Sequence, residues 1–334
     1  MRISGTGRLI IGVACLSLLV LLVTLGASAR STGGQAGMKV GYVTATGVEY
    51  YKCVAKGVQQ TLANNGNTFV QAFSSGTAQS ELAAAQDLLA QKVNALVLLS
   101  TNSKSGSAIV SLAKKAKIPI VLNTQDEFLQ HNYSKVNGVF AWNFPGLGAA
   151  TGRLAAKLFP KGTKAASIEP LAGNVHAIDV GFRDAVKRAG FTWLGIYPAK
   201  DYDPTDVQKA TQDLLTAHPD VQVIYIDDTG SVSAMFAAIK LAHSKAQVIP
   251  TGGRDEDKGL VKSGKLKGYT AAAAYLMGQG SGMMMNAILK HQSLPRKIVH
   301  PDPPAVTAAN LSQAPPFCAA SPSVTRYIKK VTGL

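Results

Sequence analysis

Short apolar runs alternate with amphipathic segments over the first half of this sequence. Apolar runs bounded by turn residues predict buried strands, and apolar positions at helical spacing predict amphipathic helices. The predicted strands are Met38–Val43, Thr68–Phe73, Ala95–Leu99 and Ile118–Leu122, and the helices between them are Glu49–Asn65, Gln79–Lys92 and Ser105–Ala116. Uninterrupted apolar strands separated by helices are typical of βαβ units around a parallel sheet.

The same alternation repeats in the second half of the chain. There the predicted strands are Lys164–Ile168, Thr192–Ile196, Val221–Ile226, Gln247–Ile249 and Gly268–Ala273, and the helices are Ala177–Ala189, Thr205–Ala217, Ser231–His243 and Gly280–His291. After Pro295 the sequence becomes proline-rich, which predicts extended, irregular chain until a last ordered turn at Ser323–Val331. The sequence therefore predicts an α/β fold with two doubly wound parallel-sheet lobes.

The N-terminus has the three parts of a secretory signal. Arg2 and Arg8 precede an apolar stretch, Leu9–Leu25, and small residues follow it up to Ala29, which predicts cleavage after Ala29. An uncleaved membrane anchor is the alternative, because the stretch is close to the minimum length of a spanning helix. In either case we expect an exported protein, in the periplasm or at the outer face of the cell membrane, with no spanning segment after Leu25.

Two cysteines, Cys53 and Cys318, remain after the signal segment. In an oxidising compartment they could form a disulfide that ties the first helix to the C-terminal tail. Two buried free thiols are the alternative, and the distance between the Cα atoms decides between them.

The chain is strongly basic, with 34 Lys and Arg against 19 Asp and Glu and a formal net charge of +15. Such an excess can indicate nucleic-acid binding. Here the lysines are scattered along predicted helices without interleaved aromatic residues, which favours a solvated basic surface over a nucleic-acid site. Attraction to an anionic membrane or wall surface is a secondary interpretation.

Polar side chains follow nearly every predicted strand. Ligands of parallel sheets bind beyond the carboxyl ends of the strands, so two facing lobes would share one cleft. Tyrosines would stack on a flat polar ligand, and the other side chains would supply hydrogen bonds. The candidate ligand-binding residues are Thr44, Tyr50, Tyr51, Ser100, Asn123 and Gln125 in the first lobe, and His176, Tyr202, Asp228 and Arg254 in the second.

Several segments resemble, in order and spacing, the periplasmic sugar-binding proteins of the ribose and galactose type, which have the type I periplasmic binding protein fold. The resemblance spans about residues 38–311 and rests on Glu49-Tyr50-Tyr51 before a helix with Gly57, Lys117-Ile118-Pro119-Ile120, Leu214–Val221, Ser263–Leu266 and Val306–Asn310. It implies the substrate-binding component of an ABC importer. Such a protein is a monomer without cofactor or catalysis that binds a sugar, polyol or sugar derivative and delivers it to a membrane permease.

The resemblance also implies a lobe arrangement. The expected organisation is a signal peptide (1–29), a linker (30–37), a first lobe (38–141 plus 273–301) and a second lobe with the C-terminal tail (142–272 plus 302–334). The chain would cross between the lobes near Asn143, Ala272 and Pro303, so that a multi-crossing hinge closes the cleft on the ligand.

The family's sugar contacts carry over only in part. Tyr50, Tyr51 and Tyr202 match its aromatic positions, and Thr44 and Asp228 match polar ones. The family's Asp-Arg pair after the fourth strand is replaced by Thr124-Gln125, an arginine of the second lobe by His176, and a Gly-Phe-Asp turn by Thr251-Gly252-Gly253-Arg254. Arg254 and His176 would also suit an acidic or phosphorylated ligand. The identity of the ligand, including whether it is a sugar, stays open.

Enzymatic readings have little support in the sequence. The first strand is followed by Thr-Ala-Thr-Gly and not by a glycine-rich dinucleotide-binding turn, and hydrolase motifs are missing. Asp227-Asp228 could suggest acid–base or metal chemistry, but adjacent side chains diverge, so we expect neither catalysis nor a metal site. The remaining alternative is the ligand-sensing domain of a regulator or signalling receptor. A DNA-binding regulator would begin with a helix-turn-helix, where this chain has an export signal.

Overall fold

The computed structural model describes residues 37–45, 48–125, 130–170, 175–200 and 202–332. The predicted signal peptide (1–29) and all of the predicted linker except Gly37 lie outside the described residues. Residues Gly37–Leu334 form one compact unit. No helix in the described ranges is long and apolar enough to cross a membrane.

Strands and helices alternate along the chain as the apolar pattern predicts. The strands are β1 (Lys39–Ala45), β2 (Thr68–Ser74), β3 (Ala95–Leu98), β4 (Ile120–Gln125), β5 (Gly138–Trp142), β6 (Lys164–Pro170), β7 (Thr192–Ala199), β8 (Val223–Ile226), β9 (Gln247–Gly252), β10 (Gly268–Ala271), β11 (Lys297–His300) and β12 (Ala305–Thr307). The α-helices are α1 (Glu49–Ala63), α2 (Ala78–Ala90), α3 (Ser103–Lys115), α4 (Phe144–Leu158), α5 (His176–Arg188), α6 (Pro204–Ala217), α7 (Val232–Leu241), α8 (Asp255–Lys262), α9 (Ala274–Leu289) and α10 (Pro322–Thr332).

The first sheet contains six described strands in the order β11-β5-β4-β3-β1-β2, and all of their pairings are parallel. Side chains on one face, among them Val40, Tyr42 and Phe140, form a core with α1 and α9. Those on the other face, among them Val43 and Leu98, form a core with α2 and α3. Successive residues of a strand point to opposite faces, so a continuous apolar strand supplies both cores.

The second sheet contains six described strands in the order β12-β10-β9-β8-β6-β7, parallel except for β12, which runs antiparallel to β10. One face packs on α4 and α5, where the rings of Phe182 and Tyr225 stack with centroids 4.3 Å apart. The other face packs on α6 and α7 through residues such as Leu214 and Met235. The predicted fold class, two doubly wound lobes, is confirmed.

Paired helices behind the sheets approach each other at glycines. A Cβ atom on Gly57 of α1 would lie 2.2 Å from the carbonyl oxygen of Tyr275 in α9, and one on Gly148 of α4 would lie 1.7 Å from that of Ile178 in α5. No larger residue fits at these positions without moving a backbone. The close packing fixes α1 and α4, whose N-terminal ends face the cleft.

Within the described residues, the chain passes between the two sheets after Trp142, after Ala271 and after His300. As a result, α4 packs on the second sheet although β5 belongs to the first, and α9 packs on the first sheet although β10 belongs to the second. Three connections of this kind restrict relative motion of the lobes to a bend around the crossings.

The structure corrects several predicted elements. Strand β5 and helices α4 and α8 have no counterpart in the prediction, helix α9 begins at Ala274 and not at Gly280, and β11 and β12 lie where irregular chain was expected. Helices α4 and α9 are rich in glycine, which lowers intrinsic helix propensity. Their packing against α5 and α1 supplies the stability that their sequences lack.

The C-terminal tail has contacts with both lobes. The prediction grouped residues 302–334 with the second lobe, and β12 does lie in the second sheet. Beyond it, Cys318 is bonded to Cys53 of α1 in a disulfide, and the Tyr327 hydroxyl of α10 donates a hydrogen bond of 2.9 Å to the carbonyl oxygen of Val299 in β11. The tail therefore returns to the first lobe, held there by a covalent bond and by α10.

Candidate ligand-binding site

A cavity of about 180 Å³ lies where the carboxyl ends of the two sheets meet. An apolar cavity of about 150 Å³ is known to hold one benzene molecule, so this one has room for a single ring-sized molecule. Both lobes contribute to its lining, which consists of Val48, Tyr50, Tyr51, Leu99, Ser100, Thr101, Asn123, Trp142, Phe144, Leu147, Val175, Ile178, Tyr202, Asp227, Asp228, Thr229, Thr251, Gly252, Arg254, Ala272, Met277 and Phe317.

Aromatic rings form the first-lobe wall. The rings of Tyr50 and Tyr51, at the start of α1, lie edge to face with centroids 5.8 Å apart. The indole Nε1 of Trp142, the last residue of β5, donates a hydrogen bond of 2.8 Å to the Tyr50 hydroxyl. Behind Trp142 lies His300, with ring centroids 4.1 Å apart, and burial lowers the pKa of His300 to about 4. The imidazole is therefore neutral near pH 7 and adds no charge to the wall.

Two polar lining residues, Ser100 after β3 and Asn123 in β4, already have partners in the first lobe. The Ser100 hydroxyl lies 2.9 Å from Oε2 of Glu81, a fully buried carboxyl whose pKa is raised by burial. The Asn123 amide donates a hydrogen bond of 3.0 Å to the carbonyl oxygen of Met277 in α9. These side chains border the cavity and also hold α2 and α9 against the sheet.

The second-lobe wall carries carboxylates and one arginine. The Tyr202 hydroxyl donates to Oδ2 of Asp227 at 2.8 Å. Nη2 of Arg254 donates to Oδ1 of Asp228 at 2.9 Å, while Oδ2 of Asp228 accepts the backbone N–H of Ser231 at the start of α7. Asp228 is thereby fixed both by a hydrogen bond from a backbone N–H and by an ion pair.

Arg254 also reaches across the cleft. Its Nε lies 3.2 Å from Oε2 of Glu49 in α1, and its guanidinium lies 6.0 Å from the ring centroid of Phe317 in the tail. The Arg254 side chain is only 15% exposed. A partly buried guanidinium between two carboxylates and a ring links the second lobe directly to the first.

Behind the cavity, acidic side chains of the second lobe come close together. Burial and the charge of Asp227 raise the pKa of Asp179 well above its usual range. The pKa of Asp227 is raised by burial and by Asp228, and the hydrogen bond from Tyr202 opposes this shift. Glu169 lies nearby and pairs with Nδ1 of His176 at 3.0 Å. Desolvation and mutual repulsion therefore disfavour the ionised forms of Asp179 and Asp227.

The C-terminal tail completes the cavity through Phe317. The backbone N–H of Tyr275 in α9 donates a hydrogen bond of 3.0 Å to its carbonyl oxygen. The next residue, Cys318, forms the disulfide with Cys53, with Cα atoms 4.8 Å apart. The sequence left open whether these cysteines pair; the structure shows the disulfide, and with it the reason why a tail residue faces the cleft.

Comparison with known proteins agrees with this architecture. Residues 41–293 match the family described as the periplasmic binding protein domain. The chain belongs to this family. Among curated relatives, the ribose import binding protein RbsB of Salmonella typhimurium is 28% identical over 256 residues, covering 74% of this chain and 83% of the relative. RbsB of Haemophilus influenzae is 27% identical over 283 residues, covering 84% and 93%.

Solved structures share the fold of this periplasmic binding protein. A substrate-binding protein of a sugar ABC transport system from Bordetella parapertussis superposes with a TM-score of 0.76 at 16% identity, covering 84% of this chain and 92% of that one. A glucose-galactose binding protein, GanP, from Geobacillus stearothermophilus has a TM-score of 0.71 at 18% identity, covering 82% and 99%. An ABC transporter solute-binding protein from Mycobacterium smegmatis, solved with glycerol, has a TM-score of 0.72 at 21% identity, covering 85% and 98%.

The structure brings most of the sequence-predicted site residues to the cavity of this periplasmic binding protein. Its lining includes Tyr50, Tyr51, Ser100, Asn123, Tyr202, Asp228 and Arg254. Thr44 does not line it, because β1 continues past this residue to Ala45 and the side chain is fully buried. His176 does not line it either, since its side chain is 61% exposed and turned to Glu169. The side chain of Gln125 lies outside the described part of the chain.

Sequence reasoning missed four prominent lining residues: Trp142, Phe144, Asp227 and Phe317. Trp142 ends an apolar run, Gly138–Trp142, that is a strand signal in its own right. Phe317 directly precedes Cys318, so the candidate disulfide to α1 was a pointer to it. Asp227 was considered for acid–base or metal chemistry but was not among the candidate ligand-binding residues. Periplasmic binding proteins are a substrate-binding class and not an enzyme class.

Proposed function

We propose that this chain is the extracellular substrate-binding protein of an ABC importer and that it binds one small polar molecule in the cavity between its lobes. The observation that carries the proposal is the cavity itself, which takes side chains from the carboxyl ends of both sheets. Ligand contacts on both lobes give a bound molecule a means of favouring the closed form. Family membership supports this role over that of a ligand-sensing domain in a regulator.

The ligand class in this proposal is a sugar, polyol or sugar derivative. Aromatic side chains of both lobes, with Tyr50, Tyr51 and Trp142 on one side and Tyr202 on the other, would stack on the apolar faces of a ring. The polar groups at the edge of the ring would form hydrogen bonds with Asp228, Arg254 and Asn123. The curated relatives import ribose, but Thr124-Gln125 and Arg254 replace family sugar contacts, so ribose is one test compound among several.

The proposal also includes the route and the partner. The N-terminal signal would direct export, with cleavage after Ala29, to the periplasm or the outer face of the membrane. There the protein would act as a monomer that delivers its ligand to a membrane permease recognising the closed form. The lobe boundaries, 38–141 plus 273–301 and 142–272 plus 302–334, would move around the crossings near Asn143, Ala272 and Pro303, with residues 317–332 of the tail following the first lobe.

A ligand screen tests the function. A molecule that binds only the folded state raises its unfolding free energy, by about 2.7 kcal/mol at a concentration 100 times Kd. We expect at least one compound from a thermal-shift panel of pentoses, hexoses, polyols and sugar acids to raise the melting temperature. If every compound leaves the melting temperature unchanged, the sugar class is wrong.

Replacing Tyr51 with Ala tests the site once a ligand is found. Loss of a stacking ring should weaken binding by about 1–3 kcal/mol, measured by calorimetric titration, without unfolding the protein. The matched control is Phe73→Ala, because Phe73 is an aromatic of the same lobe that is 57% exposed and away from the cavity. Equal affinities of wild type and Tyr51→Ala would remove Tyr51 from the site.

A further inference from the structure

The cavity has a charge character opposite to that of the whole chain. The protein has 34 Lys and Arg against 19 Asp and Glu. Yet the charged residues that line the cavity, among those the structure describes, are Asp227, Asp228 and Arg254, and no lysine is among them. The cavity of this basic protein therefore has an acidic wall, formed by Asp227 and Asp228.

The arginine does not make the cavity a site for anions. Nη2 of Arg254 pairs with Asp228 at 2.9 Å, and its Nε lies 3.2 Å from the carboxylate of Glu49. Two carboxylates therefore already balance one guanidinium. The second basic candidate, His176, pairs with Glu169 and does not line the cavity. An acidic or phosphorylated ligand, which the sequence left open, would meet more repulsion than attraction here.

The carboxyl group of Asp227, in contrast, forms no ion pair with a described residue. Tyr202 donates to one of its oxygens, and the other has no hydrogen-bond partner in the described residues. Asp179 lies behind it, 0% exposed, and neither carboxylate forms an ion pair with any described Lys, Arg or His. Burying an unpaired carboxylate is costly, so burial and mutual repulsion raise the pKa of both Asp179 and Asp227 and the two groups retain protons near neutral pH. An ammonium placed beside Asp227 would lower its pKa and form an ion pair with its ionised form, which a neutral ligand could not do.

The remaining walls suit a cation for an independent reason. The lining includes six aromatic side chains: Tyr50, Tyr51, Trp142, Phe144, Tyr202 and Phe317. Ring faces carry negative charge density and attract ammonium groups, most strongly when water is excluded. A neutral ring would gain the stacking contacts but would give the Asp227 carboxyl group no positive partner.

We propose that the cavity binds a molecule of monosaccharide size that carries one protonated amine, with the ammonium beside Asp227 and the ring between the aromatic walls. An amino sugar is the chemical type that fits. This inference rests on the proposed function, since it takes the cavity to be the ligand site. A bare metal ion is the less fitting cation, because no group of three or more His, Cys, Asp or Glu in the described ranges could hold one.

Matched triplets of hexose derivatives test whether a positive charge on the ligand strengthens binding. The probes are D-glucosamine, D-galactosamine and D-mannosamine, each compared by calorimetric titration with its parent hexose and its N-acetyl derivative. The parent replaces the amine by a hydroxyl, and the N-acetyl form keeps the nitrogen without its charge. We expect at least one amine to bind about tenfold or more tightly than both of its neutral partners, as cation–π and charge-assisted contacts would give.

A variant ties the preference to the acidic wall. Asp227→Asn keeps the size of the side chain and an acceptor for Tyr202 but removes the charge, and it should fold because it relieves an unfavourable burial. It should bring the affinity ratio of amine to parent hexose close to one. The matched control is Asp213→Asn, because Asp213 is exposed on α6 and pairs with Lys209 away from the cavity.

The outcomes separate this inference from the proposed function. Neutral hexoses that bind as tightly as their amines would overturn the cationic ligand and leave the importer role intact. A preference for amines that persists in Asp227→Asn would overturn the assignment to the acidic wall. If no amine binds the wild-type protein, the inference is wrong, and if the neutral sugars and polyols also fail to bind, the proposed ligand class fails with it.

Discussion

At the scale of single residues, the electrostatics of the cleft depend on which carboxyl groups have an ion-pair or hydrogen-bond partner. Asp228 is held by Arg254 and by the N–H of Ser231, so its negative charge is satisfied. Asp179 is fully buried beside Asp227 without an ion pair in the described residues. A carboxyl in that setting keeps its proton more readily in the folded than in the unfolded chain. Its ionisation therefore works against folding.

This difference predicts a pH dependence of stability. The pKa of Asp179 rises from 3.8 to about 9 on folding, so the folded state binds more protons than the unfolded state between about pH 4 and pH 9. The free energy of unfolding should fall as the pH rises through this window. Asn at position 179 does not titrate, so the Asp179→Asn variant should be similar to wild type below about pH 4 and more stable than it by up to about 4 kcal/mol at pH 7.

Urea unfolding of wild type and Asp179→Asn at several pH values checks this prediction. Asp213→Asn serves as the control, because an exposed carboxylate gains little from losing its charge. Curves of stability against pH that run parallel for wild type and Asp179→Asn would show that Asp179 ionises equally easily in both states.

At the scale of elements, the tail acts as a part of the cleft wall. Cys53 lies in the first helix, one turn after Tyr50, and its disulfide holds Cys318 and hence Phe317 beside the cavity. The ring of Phe317 in turn lies against Arg254 of the other lobe. One covalent bond thus joins the helix that supplies the tyrosines to the segment that supplies the opposing ring.

Removing the disulfide should affect stability and binding together. The bond spans 265 residues of sequence, and cross-links that close long loops stabilise folded proteins by about 3–5 kcal/mol. The double variant Cys53→Ser, Cys318→Ser should lose about that much free energy of unfolding in urea and should bind any ligand found in the screen more weakly. Wild-type protein treated with a reductant should behave in the same way. A reductant that changes neither quantity would show that α10 and the Tyr275–Phe317 hydrogen bond hold the tail without the disulfide.

The elements also show which parts of the fold and of the site could be predicted from the sequence. Strands β1, β3 and β8 were predictable because continuous apolar runs are required where both faces of a sheet are covered. The polar turns after β1, β7 and β8 located Tyr50, Tyr202 and Asp228, because ligands of parallel sheets bind at the carboxyl ends of the strands. Phe144 and Phe317 were not predictable in this way. They lie in crossing segments and in the tail, where position depends on packing between lobes and on a disulfide rather than on local periodicity.

At the scale of the whole molecule, the proposed function depends on the balance between open and closed arrangements of the lobes. The ion pair of Glu49 and Arg254 joins α1 of the first lobe to the turn after β9 of the second. It exists only when the lobes are close, so it favours closure even without a ligand. Glu49 is 50% exposed, which limits the strength of the pair and lets dissolved salt weaken it.

Glu49→Gln should therefore shift the balance toward the open form. A half-exposed ion pair contributes about 0.2–1 kcal/mol, so losing it should weaken ligand affinity by a factor of about 1.4 to 5, because the binding-competent closed form becomes rarer. Calorimetric titration at low and high salt measures the effect, which should shrink at high salt since screening already weakens the pair in wild type. Glu256→Gln is the matched control, because Glu256 is an exposed acid near Arg254 in sequence that forms no ion pair with any described residue. If Glu49→Gln binds as wild type does at low salt, closure depends on the ligand and the crossings alone, and the Glu49–Arg254 contact is a consequence of closure without influence on it.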